Sequence, residues 1–359
     1  MNNNHDATQV WVSWGKALAS QLIVWHHLLI YGPLAPAADV AWPDLADFLQ
    51  QDARLAVQVF LVIGGYLAAR SLWPTPGSAR LTLHDWPART LARYRRLLPM
   101  LLLALLAAVL AAAFARSGMS DPDTPAAPTW PQLLAHLLML QDIVDQPALS
   151  AGIWYVAIDL QLFGLLAALA ALAHGSTRRA QTGTTPAAIA VLLLVGTKLA
   201  SVAWFNLEDD GDMWAPYFFG AYGLGVLAAW GARSGQRAGT TALLASLVLL
   251  ALLLEWRSRL ALAGLVAVLL LWQPWGAELA RSRLDALMQW LARISYAVFL
   301  LHYPVSLAVS TVVMWAAPST PAAHVAGLVL TWLLSLAAGW LATRWLEARP
   351  AGMRGAAPA

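Results

Sequence analysis

His27 follows Lys16 by eleven residues in the stretch "KALASQLIVWHH". On a helix that interval is three turns plus about 20°, so the amine and the imidazole share one face about 16 Å apart. An imidazole with an ordinary pKa near 6.5 can take the proton from a hydroxyl near neutral pH. A cation on the same face can meet an anionic part of the same substrate. His26 points roughly 100° away and has no such alignment. Three further stretches carry polar groups in apolar company: "GIWYVAIDLQLF" with Trp154 and Asp159, "VGTKLASVAWF" with Lys198, and "ISYAVFLLHYPV" with Ser295, Tyr296 and His302.

The elements that must hold these groups are membrane helices. The chain is 60% hydrophobic and only 11% charged, where soluble domains run near a quarter charged. About ten stretches are long enough to cross a hydrocarbon core as helices, roughly 15–34, 55–73, 97–115, 153–173, 186–205, 213–231, 239–255, 258–274, 288–314 and 324–346. The seventh and eighth are joined by a tight "EWRSR" connection, and "TWPQLLAHLLMLQD" is too short and polar to span, reading as a surface or re-entrant helix. No internal repeat or interdomain linker stands out. The expected fold is therefore an all-α polytopic bundle, one domain over residues 1–359. The first sixteen residues carry no apolar run or cleavage site, so no removable signal peptide is expected.

Cysteine is absent, which excludes thiol nucleophiles, disulfides and thiolate metal sites. The eight histidines are scattered and form no ligand-spaced pair, so no metal is expected. The formal charge is +3 and the pI about 9.4, but the basic excess reports orientation rather than nucleic acid. With the N-terminus inside, 17 of the 22 lysines and arginines fall on the cytoplasmic side, Arg80, Arg89, Arg93, Arg95 and Arg96 among them. The outer loops collect Asp39, Asp44, Asp47, Asp52, Asp121, Asp123 and the acids of "NLEDDGD" at 206–212. Both termini are then expected in the cytoplasm.

Titratable groups at membrane depth cost a few kcal/mol each and face the bundle interior or a wet cavity. Counted along the expected spans, Asp159 lies roughly 8 Å and His27 roughly 10 Å from the outer boundary. His302 falls in the outer half, Ser295 two turns deeper, and Lys198 near the middle. Overlapping depths suggest that Asp159 orients the His27 ring, as the third member of a hydrolase triad does. The alternative is a proton-coupled transporter, with His27, Asp159 and Lys198 forming a proton relay. Missing symmetry between the two halves argues against a carrier. Helix–helix hydrogen bonding is the plain structural role for a lone intramembrane histidine.

These stretches resemble the membrane-bound acyltransferase family 3, transmembrane O-acyltransferases that decorate bacterial surface glycans. The family's basic residue, ten positions, then histidine appears as Lys16 and His27, with Lys where Arg is more usual. Its Ser-Gly-aromatic ending of the second helix appears as Gly64-Gly65-Tyr66, without the serine, and an upstream Asp is Gln58. Arg-x-x-Arg running into Leu-Pro is Arg93 and Arg96 in "RYRRLLP". The tryptophan-led helix keeps Trp154 and has Asp159 in place of Glu, and Ser295, Tyr296, His302 and Pro304 match the closing pattern. The resemblance covers about residues 12–310.

It implies a cytoplasmic acyl-CoA donor, most often acetyl-CoA, and a carbohydrate or lipid-linked glycan hydroxyl as acceptor at the outer face of a bacterial inner membrane. Lys16, Arg93 and Arg96 would bind the donor's phosphates, where arginine offers bidentate hydrogen bonds. His27 would act as general base, with Asp159 supporting it; transient acylation of His27 is the other route. Tyr66, Trp154, Lys198, Ser295, Tyr296 and His302 would shape or support the acceptor site.

Overall fold

The computed structural model describes residues 3–72, 81–179, 186–205 and 211–348, and among these it contains helices and no strand. In chain order the helices are α1 (Asn3–Ile30), α2 (Pro36–Ala41), α3 (Pro43–Gln51), α4 (Val57–Leu72), α5 (Asp85–Gly118), α6 (Trp130–Leu137), α7 (Ile153–Arg179), α8 (Pro186–Ala203), α9 (Ala215–Ser234), α10 (Arg237–Leu254), α11 (Ser258–Trp272), α12 (Gly276–Ala280), α13 (Asp285–Ala316) and α14 (Pro321–Glu347). Each of the ten expected spans coincides with one of the longer helices. Among the described residues, six helices qualify by length and composition to cross a membrane: Ala53–Leu72, Asp85–Gly118, Ile153–Ala173, Arg237–Leu254, Asp285–Ala316 and Pro321–Glu347. Val191–Ala203 and Ser258–Trp272 are shorter apolar helices. Arg80, Arg349, Arg354 and the acids at 208–210 lie outside the described residues.

Helix packing follows lipid rules, with small residues inward and leucines outward. On α5, Ala104, Ala108, Ala112 and Ala115 are buried while Leu102, Leu106 and Leu110 are exposed. On α14, Gly327, Thr331, Ser335 and Gly339 form a buried stripe at four-residue spacing. The closest crossing joins α4 to α9. A Cβ at Gly65 would lie 2.0 Å from the Tyr222 carbonyl oxygen, and one at Gly225 1.9 Å from that of Val62. Gly65→Ala or Gly225→Ala must therefore push two backbones apart. Each should destabilise the detergent-solubilised protein by at least the ~1–3 kcal/mol of overpacking. Gly239→Ala is the control, because nothing lies within 4 Å of the added carbon. Equal thermal melting of all three variants would contradict this crossing.

The segment between α5 and α7 sets the depth of the site. Thr129 and Gln132 form a capping box that starts α6, the reciprocal arrangement that satisfies two free amides at a helix start. The helix then runs down along α5 until the Tyr94 hydroxyl donates to the Leu137 carbonyl at 2.9 Å. The turn that opens α7 is far from the end of α5. Gly152 packs on Phe299 of α13, whereas Gly118 packs on Trp315 of the same helix. Sixteen helical residues separate those two contacts, about 24 Å. So α7 starts deep inside the bundle, and Asp159 is lower still, bonded to Arg93. The expectation that Asp159 and His27 share a depth is corrected. It assumed a helix starting at the surface, and α6 re-enters instead.

Candidate active site

A cavity of about 270 Å³ opens between α1, α4, α5, α7 and α13. Lys16, Arg93, Arg96, Asp159, Ser295 and Tyr296 all line it, six side chains singled out from sequence and contributed by four helices. Their convergence follows from the re-entrant segment, which lowers Asp159 to the level of Lys16. Arg93 grips Asp159 with both arms of its guanidinium, Nε at 3.0 Å and Nη2 at 2.7 and 2.9 Å, and it also lies over the Phe163 ring. No ion pair joins Lys16 or Arg96 to a carboxylate among the described residues. The site therefore carries three cations against one carboxylate. Ser295 turns its hydroxyl back to the Ala292 carbonyl, and the Tyr296 hydroxyl donates to that of Leu97. Gly64, where the family pattern has serine, also lines the cavity, and a Cβ there would stand 3.9 Å from an Asp159 oxygen.

His27 sits farther along α1 and is paired with a second histidine rather than a carboxylate. Its Nδ1 lies 2.7 Å from Nε2 of His302, with the rings stacked at 4.9 Å. His302 Nδ1 faces the Val298 carbonyl oxygen at 3.3 Å. A carbonyl only accepts, so His302 carries its proton on Nδ1 and presents a lone pair at Nε2. His27 Nδ1–H must then donate to that lone pair, which leaves His27 Nε2 unprotonated. The neighbour of His27 in this geometry is His302, and Asp159 is bonded to Arg93 instead. His26 points elsewhere and bonds the Leu49 carbonyl at 2.9 Å, tying α1 to α3.

A family model for an acyltransferase domain, that of acyltransferase family 3, matches residues 9–341. The chain belongs to that family. No curated protein and no solved structure matches it.

The remaining predicted residues of this family 3 protein lie away from the cavity. Tyr66 is buried at the α4–α9 crossing and its hydroxyl accepts from Gln273 Nε2 at 3.3 Å. Trp154 meets Tyr155 edge to face and packs at a tilt on Phe218. Lys198 does not pair with Asp159; its amine donates to the Gly220 carbonyl at 2.7 Å, locking α8 to α9. Sequence reasoning missed Phe60, Tyr155 and Phe299, which line the cavity on the side of the histidines. Tyr155 and Phe299 stand one turn before Asp159 and His302, so helical spacing was a usable signal. Beyond the histidine pair, on the side away from Lys16, Tyr31 and Tyr303 meet edge to face beneath the loop after α5. That loop is held by the Asp123 carboxylate, which accepts from the Gly32 amide at 2.9 Å, and by the Tyr303 hydroxyl, which donates to the Asp123 carbonyl. Burial raises the neighbouring Asp121 carboxyl above its ordinary value, and the nearby Asp123 charge adds to the rise.

Proposed function

We propose that the protein is a membrane O-acyltransferase that carries an acyl group, acetyl in the first instance, from acyl-CoA to a hydroxyl of a glycan or glycoconjugate at the outer face. The whole chain acts as one domain in a bacterial inner membrane, with both termini cytoplasmic and the arginine-rich helix ends facing the donor. The observation that carries this reading is one cavity holding Lys16, Arg93 and Arg96, in a chain whose family transfers acyl groups. Phosphate groups of coenzyme A suit Lys16 and Arg96, which form no ion pair with a carboxylate among the described residues, and arginine adds planar bidentate hydrogen bonding. The slender pantetheine arm then leads the thioester into the cavity.

The chemical step follows from the tautomers. His27 Nε2 takes the acceptor hydroxyl's proton as its oxygen attacks the thioester carbonyl. The resulting imidazolium is held by the Nδ1–H bond to His302. Collapse of the tetrahedral intermediate breaks the carbon–sulfur bond, and the proton passes from His27 to the departing thiolate, giving the ester and free CoA. A base so placed contributes on the order of 10²–10⁴ in rate. The carrier reading loses its relay, because His27, Asp159 and Lys198 are bonded to three different partners.

The testing experiment is a titration of purified protein with acetyl-CoA. Lys16→Gln with Arg96→Gln should weaken binding at least ~10-fold, from the loss of two charge-assisted contacts. Replacing Arg281 and Arg283, exposed arginines just ahead of α13, should leave it unchanged. Unaltered affinity in the first variant would reduce Lys16 and Arg96 to markers of topology.

A further inference from the structure

We infer that Phe299 sets the length of the acyl group the enzyme accepts and confines it to short chains. The inference rests on reading the cavity as the donor site. Charged groups occupy one side of that cavity, while Phe60, Tyr155 and Phe299 line another. The three rings close on one another, with centroids 6.0 Å apart for Phe60 and Tyr155, 6.3 Å for Phe60 and Phe299, and 5.7 Å for Tyr155 and Phe299. Phe299 also touches the base and its positioning residue, at 6.4 Å from the His27 ring and 6.1 Å from that of His302. One phenyl ring therefore stands between the donor cavity and both imidazoles. An acyl group entering from the charged side meets this aromatic wall first.

The ring has little room to retreat. Phe299 is 6% exposed, and the turn opening α7 presses on it from behind. A Cβ on Gly152 would lie 2.5 Å from the Phe299 carbonyl oxygen and 3.2 Å from its ring. An acetyl group ends in a single methyl that can rest against the wall without displacing it. Each further methylene has to displace one of three mutually packed rings. A hydrophobic site discriminates by roughly 10–200-fold per methylene, so the wall is sufficient to select chain length.

The test is binding of acetyl-, butyryl- and hexanoyl-CoA, with CoA itself as reference, to the full-length protein in lipid nanodiscs. The wild type should bind the hexanoyl thioester at least ~10-fold more weakly than the acetyl thioester. Phe299→Ala should erase or reverse that ratio. If Phe299→Ala fails to fold, Phe60→Ala opens the same wall from α4 and should relax the ratio in the same direction. Wild-type affinity independent of chain length, or an unchanged ratio in a folded variant, would overturn the inference. Failure of CoA and all three thioesters to bind would instead overturn the donor reading beneath it.

Discussion

Replacing His27 by glutamine should remove acyl transfer, with a loss of about 10²–10⁴-fold or more, while the protein remains folded. His26→Gln should retain transfer and lose thermal stability instead, because the His26 ring tethers α1 to the Leu49 carbonyl. His302→Gln should fall between them. Glutamine keeps a polar group opposite His27 Nδ1 but cannot reproduce the ring's stacking or basicity. A positioning residue is distinguished from a structural one by the pH–rate profile, which His302→Gln should move and His26→Gln should not. Equal behaviour of His26 and His27 variants would sink the assignment of the base.

The second large effect concerns Asp159. Its carboxylate neutralises Arg93 through the bidentate contact, with side-chain exposures of 12% and 28%. Breaking a fully buried pair from one side costs about 3–5 kcal/mol. Partial exposure here brings the expected cost of Asp159→Asn to roughly 1–3 kcal/mol after screening. Arg93→Gln added to that variant should restore part of the loss, because no orphaned cation then remains, and the double-mutant cycle would measure the coupling. Asp159→Asn should lower transfer by disordering the donor cavity yet leave the midpoint of the pH–rate profile in place. A shifted midpoint would mean that the carboxylate acts on His27 after all.

These two predictions mark what was legible in the sequence. Lys16 and His27 lie on one helix, so a spacing of eleven fixed their relation without any tertiary knowledge. Arg93, Arg96, Ser295 and Tyr296 were found by residue type and resemblance, and packing collected them with Asp159. Asp159's partner was misjudged because depth was counted from an assumed helix start at the surface. The capping box of α6 is readable from Thr129 and Gln132, but its descent depends on Tyr94 meeting Leu137 across helices. His302 was expected near the depth of His27, but its contact with that ring depends on the rotation of α13 about its axis. Lys198 shows the opposite error: a lone buried amine invites a functional reading, and one backbone carbonyl is enough to hold it.

The re-entrant turn ahead of α7 carries one more implication. Peptide groups there run outside any helix beside the Phe299 wall of the cavity, and such backbone is tolerated within a bilayer only when protein or water solvates it. Ser150 Oγ and Gln141 Oε1 are buried in this stretch without a hydrogen-bond partner, which is the company an internal water keeps. With a thioester donor bound as proposed, water held at this turn would make spontaneous hydrolysis the competing reaction. Turnover by the proposed mechanism would then depend as much on keeping moisture off the donor as on speeding its capture by the acceptor hydroxyl.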